Sequence, residues 1–578
     1  MNSSRKIMGQ VGIRVLLTFV SAVALTIIGS RAWQSSFSIP AFDTLLAFLA
    51  ITSAAYVYGL YRTNPSTQNA IFFAALVTQS VIFIGGVVDH LLGITSPTVL
   101  KTPDRITSDI IEVSLLAIMF LSAIILRNRK LSTRANISLI LLIIIGTLSF
   151  YGVFYAFVLA PLSEVFLILI GFIGTLISIV AFLLAGAYVI KYQKESQKYD
   201  LILLLLSFTI FSLASIPLFL NLVFPAAIWT LSLTLQAGGF FALTMAVAVP
   251  WQMEMGISRW RADASIATLC LLALTPFIVF VLVESWAPGI SFIFLGAYYL
   301  SHAEAAVLSG LIAFLVYAYS RRNPSPEYYY LILLFITWAY MELHLVLFTP
   351  RDSLLAGYEP ILPYVIGSIL SIVLLFRATN SIKEQPAKQL VSYSAQKIIL
   401  WICLVISFVW VGELIRHQVL QRNPEVIDTP LAASFILVAN LLAMFAFIYL
   451  RYLLTTKGGG WESAVITPAG FLSLWIIRNI LKTVFIEWSI GWWAAEILLL
   501  GGLVLGPVIL GMLYLNSMFE AESSQRKATV YADLLGHDMT NYLQAIQVAL
   551  GIMNLDDASP DAKSKALEEA GLSLTRAD

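Results

Sequence analysis

Near the C-terminal end of this 578-residue chain runs Leu534-Leu535-Gly536-His537-Asp538-Met539-Thr540-Asn541-Tyr542. A histidine is followed at once by an acid and, one helical turn later, by an amide. Neutral imidazole is a nucleophile, and a carboxylate bonded to one ring nitrogen holds the tautomer that leaves the other free to attack. The set suits a histidine that accepts a phosphoryl group. Asn541 could orient a water near a phosphorylated partner and so support the reverse reaction. The plainer alternative is a solvent-facing histidine on a coiled coil.

The element that must present His537 is a helix. Ala528, Ala532, Leu535, Met539, Tyr542, Ile546, Ala549 and Met553 recur at alternating intervals of four and three. That is a heptad seam. With Leu535 at a d position, His537 falls at f, outside the seam, with Asn541 beside it. Asn554 to Ser559 reads as a turn, with Ser559 capping a second helix and Pro560 at its first position. Leu567, Ala570, Leu574 and Ala577 continue the apolar pattern there. The expected unit is a helical hairpin over 531–578, entered through a signalling helix at 516–530. Two copies would make a dimeric four-helix bundle.

These residues resemble the H-box of the dimerisation and histidine-phosphotransfer domain of sensor histidine kinases. The family pattern is histidine, acid, two variable residues, then threonine or asparagine; His537, Asp538 and Asn541 match it in order over a resemblance spanning 526–578. The resemblance implies autophosphorylation on His537, Asp538 as general base, and transfer to an aspartate of a response-regulator receiver domain. It also implies a homodimer, with ATP and Mg2+ held by a separate catalytic domain. Two departures stand out: Tyr542 where many members carry proline, and Thr540 where a basic residue is frequent. The family's asparagine box and glycine-rich boxes do not occur in the sequence. The expectation is therefore a fragment of a longer kinase that cannot phosphorylate itself unaided.

Almost everything before the hairpin reads as membrane. The chain is 59% hydrophobic and 12% charged, against about 25% charge in soluble proteins. A net charge of +1 offers no case for nucleic acid. Cys270 and Cys403 give neither a disulfide framework nor metal-ligand spacing. About 20 apolar residues make a span, and candidates lie at 11–29, 41–61, 70–92, 107–126, 136–158, 165–190, 200–222, 228–249, 264–284, 298–319, 328–348, 359–376, 398–415, 431–453, 464–486 and 492–515. The fold class expected is all-α: a polytopic transmembrane helical bundle of about sixteen spans over 1–515, then the hairpin. The basic Met1–Lys6 segment and the run after it read as a retained first span rather than a signal peptide. Connections after even-numbered spans carry eighteen Lys and Arg, those after odd-numbered spans six. Positive loops stay inside, so both termini are expected in the cytoplasm and the protein in the plasma membrane. Asn64-Pro65-Ser66 is echoed by Asn323-Pro324-Ser325, Ser149-Phe150 by Ser407-Phe408, and Leu183-Leu184-Ala185 by Leu441-Leu442-Ala443. These echoes suggest a tandem duplication, repeats 1–255 and 260–515. A secondary transporter or channel with a helical dimerisation tail is the rival reading.

Ionisable groups in lipid are costly and mark function by default. In the orientation above, Asp89, His90, Glu112, Glu164, Glu284, His302, Glu304, Glu342, His344, Glu413, His417 and Glu487 fall towards the outer ends of their spans. A sensing pocket is expected from Asp89, His90, His302, Glu304, Glu342, His344, Glu413 and His417, open to a cation, a proton or a small polar ligand. Groups at a membrane edge that simply reach water are the alternative. Glu413 and His417 share a helix face; His302 and Glu304 do not. No tight ligand spacing marks a metal site. Arg478 and Lys482 lie deeper, four apart, and are expected to pair with acids on neighbouring helices.

Overall fold

The computed structural model describes residues 2–28, 38–91, 102–127, 131–156, 162–191, 199–223, 228–254, 293–320, 326–349, 362–383, 395–420, 430–454, 475–483 and 488–577, with isolated positions between 258 and 291 and at 129 and 485. The long helices are α1 (Asn2–Ile28), α2 (Ser38–Thr63), α3 (Thr67–Leu91), α4 (Pro103–Ile125), α5 (Thr133–Phe154), α6 (Glu164–Lys191), α7 (Leu201–Val223) and α8 (Trp229–Glu254). They continue as α9 (Leu295–Ser320), α10 (Pro326–Phe348), α11 (Leu362–Lys383), α12 (Ala395–Leu420), α13 (Pro430–Leu454), α14 (Ile490–Met553) and α15 (Pro560–Ala577). Among the described residues the only β pairing is an isolated bridge between Ser291 and Ser489. The protein is all-α and polytopic.

Twelve helices among the described residues, α1 to α11 and α13, are long and apolar enough to cross a membrane. Two more expected spans appear as shorter apolar stretches, Ile398–Gly412 and Ile490–Gly501. The spans expected at 264–284 and 464–486 lie mostly outside the described residues. The chain divides into two compact units, Met1–Leu510 and Gly511–Asp578.

Within the first unit, α2 is the hub. It packs on α3, α8 and α13, so one face of the N-terminal half meets the C-terminal half there. Tyr58 lies edge-on to Tyr449 at 4.8 Å, and Trp251 stacks on Tyr452 at 4.5 Å. Gly59 makes that approach possible: a Cβ there would sit 2.6 Å from the Tyr452 ring carbons. Gly59→Val should therefore push α2 from α13 and cost about 1–3 kcal/mol. A lowered thermal unfolding midpoint in detergent would register it, with Gly146→Val, where a Cβ meets nothing within 4 Å, as the neutral control.

The helices present an inside-out polarity. On α6 the buried face mixes Gly171, Gly174, Ser178, Ala181 and Ala185 with the larger Leu167, Phe182 and Val189, while Leu169, Phe172, Leu176 and Leu183 are exposed. Small residues let α4 close in, and Ser114 Oγ donates to the Gly174 carbonyl at 2.8 Å and meets Ser178 Oγ at 3.0 Å. This is the packing logic of helices in lipid, where close backbone approach replaces hydrophobic drive.

Loop chemistry sets the helix starts. After α2, the Asn64-Pro65-Ser66 turn stops one helix and caps the next: Ser66 Oγ accepts from Asn69 N at 3.2 Å. Asn69 Oδ1 accepts from the buried Tyr199 hydroxyl at 2.6 Å, and burial pushes that hydroxyl's pKa well up. The echoing Asn323-Pro324-Ser325 lies outside the described residues. Before α7, Asp200 Oδ1 accepts from Ile202 N and Leu203 N at 3.0 and 3.1 Å.

The second unit is the hairpin. Residues 554–559 form the turn between α14 and α15, and Ser559 Oγ accepts from Ala562 N at 3.2 Å. The face of α15 that turns inward carries Ala566, 4% exposed, and Ala570. Leu567, expected on the seam, is 57% exposed. Ala566 and Ala570 are the more buried positions, while Ala562, one turn earlier, is exposed. Leu574 and Ala577 have no described side-chain environment.

Candidate functional site

On α14, His537 sits on a fully solvent-facing stretch with its side chain 73% exposed. Helical spacing brings Asn541 over it, with Asn541 Nδ2 3.1 Å from His537 Nδ1. Asp538 Oδ1 is 3.5 Å from the same ring nitrogen. Both polar groups thus lie on the Nδ1 side of the ring. Thr540 turns back to its own helix, donating to the Gly536 carbonyl at 2.7 Å. Of the seam residues, Ala549 is buried and Tyr542 and Ile546 are half-buried against the hairpin, whereas Leu535 and Met539 are 65% and 49% exposed.

In the membrane unit the expected pocket residues fall in different places. His302 on α9 and Glu342 on α10 come together, His302 Nδ1 lying 2.5 Å from Glu342 Oε2. A contact that short to a carboxylate puts the ring proton on Nδ1. Glu342 Oε1 accepts from Arg478 Nη1 at 2.7 Å. Arg478, from the helical segment 475–483, is wholly buried, and Nη2 also donates to Glu496 Oε1 on α14 at 2.8 Å. Lys482 pairs with the same Glu496 and donates to the Tyr364 hydroxyl at 2.9 Å. Its ammonium lies 4.2 Å over the Trp492 ring. Trp475 stacks on Trp338 at 4.0 Å and donates to Glu342 at 3.4 Å. Two cations and two carboxylates cancel formally, which is the condition under which such charges persist in an apolar interior.

The pairing expected of Arg478 and Lys482 is thus present, with Glu342 and Glu496. Glu496 was not singled out from the sequence; an acid alone in the apolar run Trp492–Leu500, one span after two cations, was the signal available. His344 is buried two residues beyond Glu342 but among rings, 4.9 Å from Phe348 and 6.1 Å from Trp410. Glu304 is exposed on the face of α9 opposite His302. Asp89 and Glu112 line a separate cavity in the N-terminal half. The side chains of His90, Glu413 and His417 lie outside the described residues. The structure therefore distributes the described members of the expected pocket over several sites rather than one.

Compared with family models, curated proteins and solved structures, the chain matches none. The fold and the site define a multi-pass α-helical membrane protein that carries a histidine-bearing helical hairpin.

Proposed function

We propose that the protein is the sensor half of a membrane histidine kinase, accepting phosphate on His537 and passing it to a response-regulator receiver domain. The observation that carries this reading is the exposed His537 with Asn541 and Asp538 both at its Nδ1 side, on a helix that begins inside the membrane unit. In this reading Asp538 is the general base and Asn541 positions a water for dephosphorylation. The family's asparagine box and glycine-rich boxes do not occur in the sequence, so in this reading ATP and Mg2+ are held by a separate catalytic domain. The orientation read from the basic loops puts the hairpin in the cytoplasm, within reach of nucleotide.

The test supplies a histidine-kinase catalytic domain, fused or in trans, with γ-labelled ATP. Acid-labile, base-stable label should appear on the wild-type chain and vanish in His537→Gln. Label that persists in the variant would remove the phospho-acceptor.

The exposed Leu535 and Met539, with Leu543 at 55% exposure, support a homodimer through the hairpin. Leu535→Asp should lower the dimeric fraction measured by light scattering on purified full-length protein, by about tenfold if that seam is the interface. A second reading, a transporter or channel, is favoured by the charged network around Arg478. Solute flux into liposomes that survives removal of residues 516–578 would favour it.

A further inference from the structure

One nitrogen at the centre of the charged network has more acceptors around it than hydrogens to give them. Arg478 Nη2 carries two hydrogens. Four acceptors lie within reach: Glu496 Oε1 at 2.8 Å and Oε2 at 3.1 Å, Glu342 Oε2 at 3.3 Å and the Tyr364 hydroxyl at 3.3 Å. The guanidinium thus spans two carboxylates. Nη1 bonds Glu342 Oε1 at 2.7 Å, Nε bonds Glu496 Oε1 at 3.1 Å, and Nη2 is shared between the two acids. Glu342 belongs to α10, and Glu496 to α14, the helix that also carries His537.

His302 acts on the same carboxylate. Its Nδ1, 2.5 Å from Glu342 Oε2, bonds the oxygen that Nη2 approaches. Nη2 is also 3.3 Å from this Nδ1, which with its proton turned to Glu342 has no lone pair to offer. The ring is wholly buried and packs edge-on to Tyr298 at 4.3 Å. Among the described residues, the charged and titratable groups around it are Glu342 from α10, Arg478 and Lys482 from segment 475–483, Glu496 from α14, Tyr364 from α11 and Tyr298 from its own helix.

Neutral, with its proton on Nδ1, the imidazole gives Glu342 a hydrogen bond and no charge. A second proton, taken from water onto Nε2, turns the same contact into an ion pair, which is the shorter and stronger kind of bond. Glu342 is then held by His302, and Nη2 is released to Glu496. We infer that His302 is a proton-binding site whose occupancy decides how Arg478 divides its donors between α10 and α14. Histidine is the side chain whose charge changes near neutral pH, and the shared guanidinium is the two-state element it biases. The further step from α14 to His537 rests on the phosphorelay reading; the proton site does not.

Two indoles report on the network: Trp475 donates to Glu342 at 3.4 Å, and the Trp492 ring lies 4.2 Å from the Lys482 ammonium. Tryptophan emission of the full chain in lipid nanodiscs, followed from about pH 8 to about pH 5 without nucleotide, should change reversibly with the slope of a single proton. His302→Gln should abolish the change, while Glu304→Gln, exposed on the far face of the same helix, should keep it. A wild type with no transition would overturn the inference, and so would a transition that persists in His302→Gln. If that variant does not elute as a single folded species, His302→Phe, which keeps a ring against Tyr298 and offers no proton site, takes its place. Should neither fold, imidazole nitrogen NMR of isotope-labelled wild type decides, by whether a histidine protected from solvent exchange gains its second proton over the same range. With a catalytic domain and labelled ATP supplied, His537 labelling should respond to pH about fivefold more in the wild type than in His302→Gln. A chain that shows the transition but takes no label loses the phosphorelay reading and keeps the proton site. Equal pH response of labelling in both chains would remove the link through α14.

Discussion

Arg478→Leu should remove most of the folded protein from the membrane. The substitution leaves Lys482 with Glu496 but strips Glu342 of its cation, since His302 in its neutral form supplies only a hydrogen bond. An uncompensated buried carboxylate costs about 3–5 kcal/mol, against a total stability of about 5–15 kcal/mol. The charge count makes a sharper forecast than simple loss. Arg478→Leu combined with Glu342→Gln restores neutrality and should recover much of the monodisperse fraction on size-exclusion chromatography. Arg478→Lys keeps the charge but not the fork that reaches two carboxylates, and should fall between. A single leucine variant as abundant and as heat-stable as the wild type would mean that the network carries no stability.

The second large effect is chemical. If His537 is the acceptor, His537→Gln abolishes label altogether, because no other imidazole lies in the hairpin. Asp538→Asn keeps the hydrogen-bonding shape but weakens proton abstraction, and should slow labelling by about 10²–10⁴-fold. Asn541→Ala should leave labelling fast and instead prolong the life of a phosphorylated receiver. Those three outcomes separate acceptor, base and water-positioning roles; label equally lost in all three would show only that the helix had been damaged.

Long apolar runs made the membrane helices readable, and α3, expected at 70–92, occupies Thr67–Leu91. The hairpin was legible because heptad spacing, a serine cap and a proline start all agree there. What spacing could not reveal was partnership across the bundle. Glu342 meets Arg478 from 136 positions away, and His302 from 176. Asp43 and Gln236 each look like one polar residue near the edge of an apolar run; only packing brings them to the cavity that Asp89 and Glu112 line. On α15 the sequence offers two apolar rows one residue out of phase, and it is Ala566 rather than Leu567 that is buried.

The buried cations also constrain how the chain is made. The segment 475–483 leaves the ribosome after Glu342 but before Glu496. Alone in lipid, Arg478 and Lys482 would each oppose insertion by about 2.5–3.5 kcal/mol. Their segment must therefore be received by helices already in place, and its charge is balanced only once the next span has been threaded. Biogenesis of this half of the protein is cooperative, and a ribosome stalled between residues 483 and 496 would hold a nascent chain whose last span is not yet committed to the bilayer.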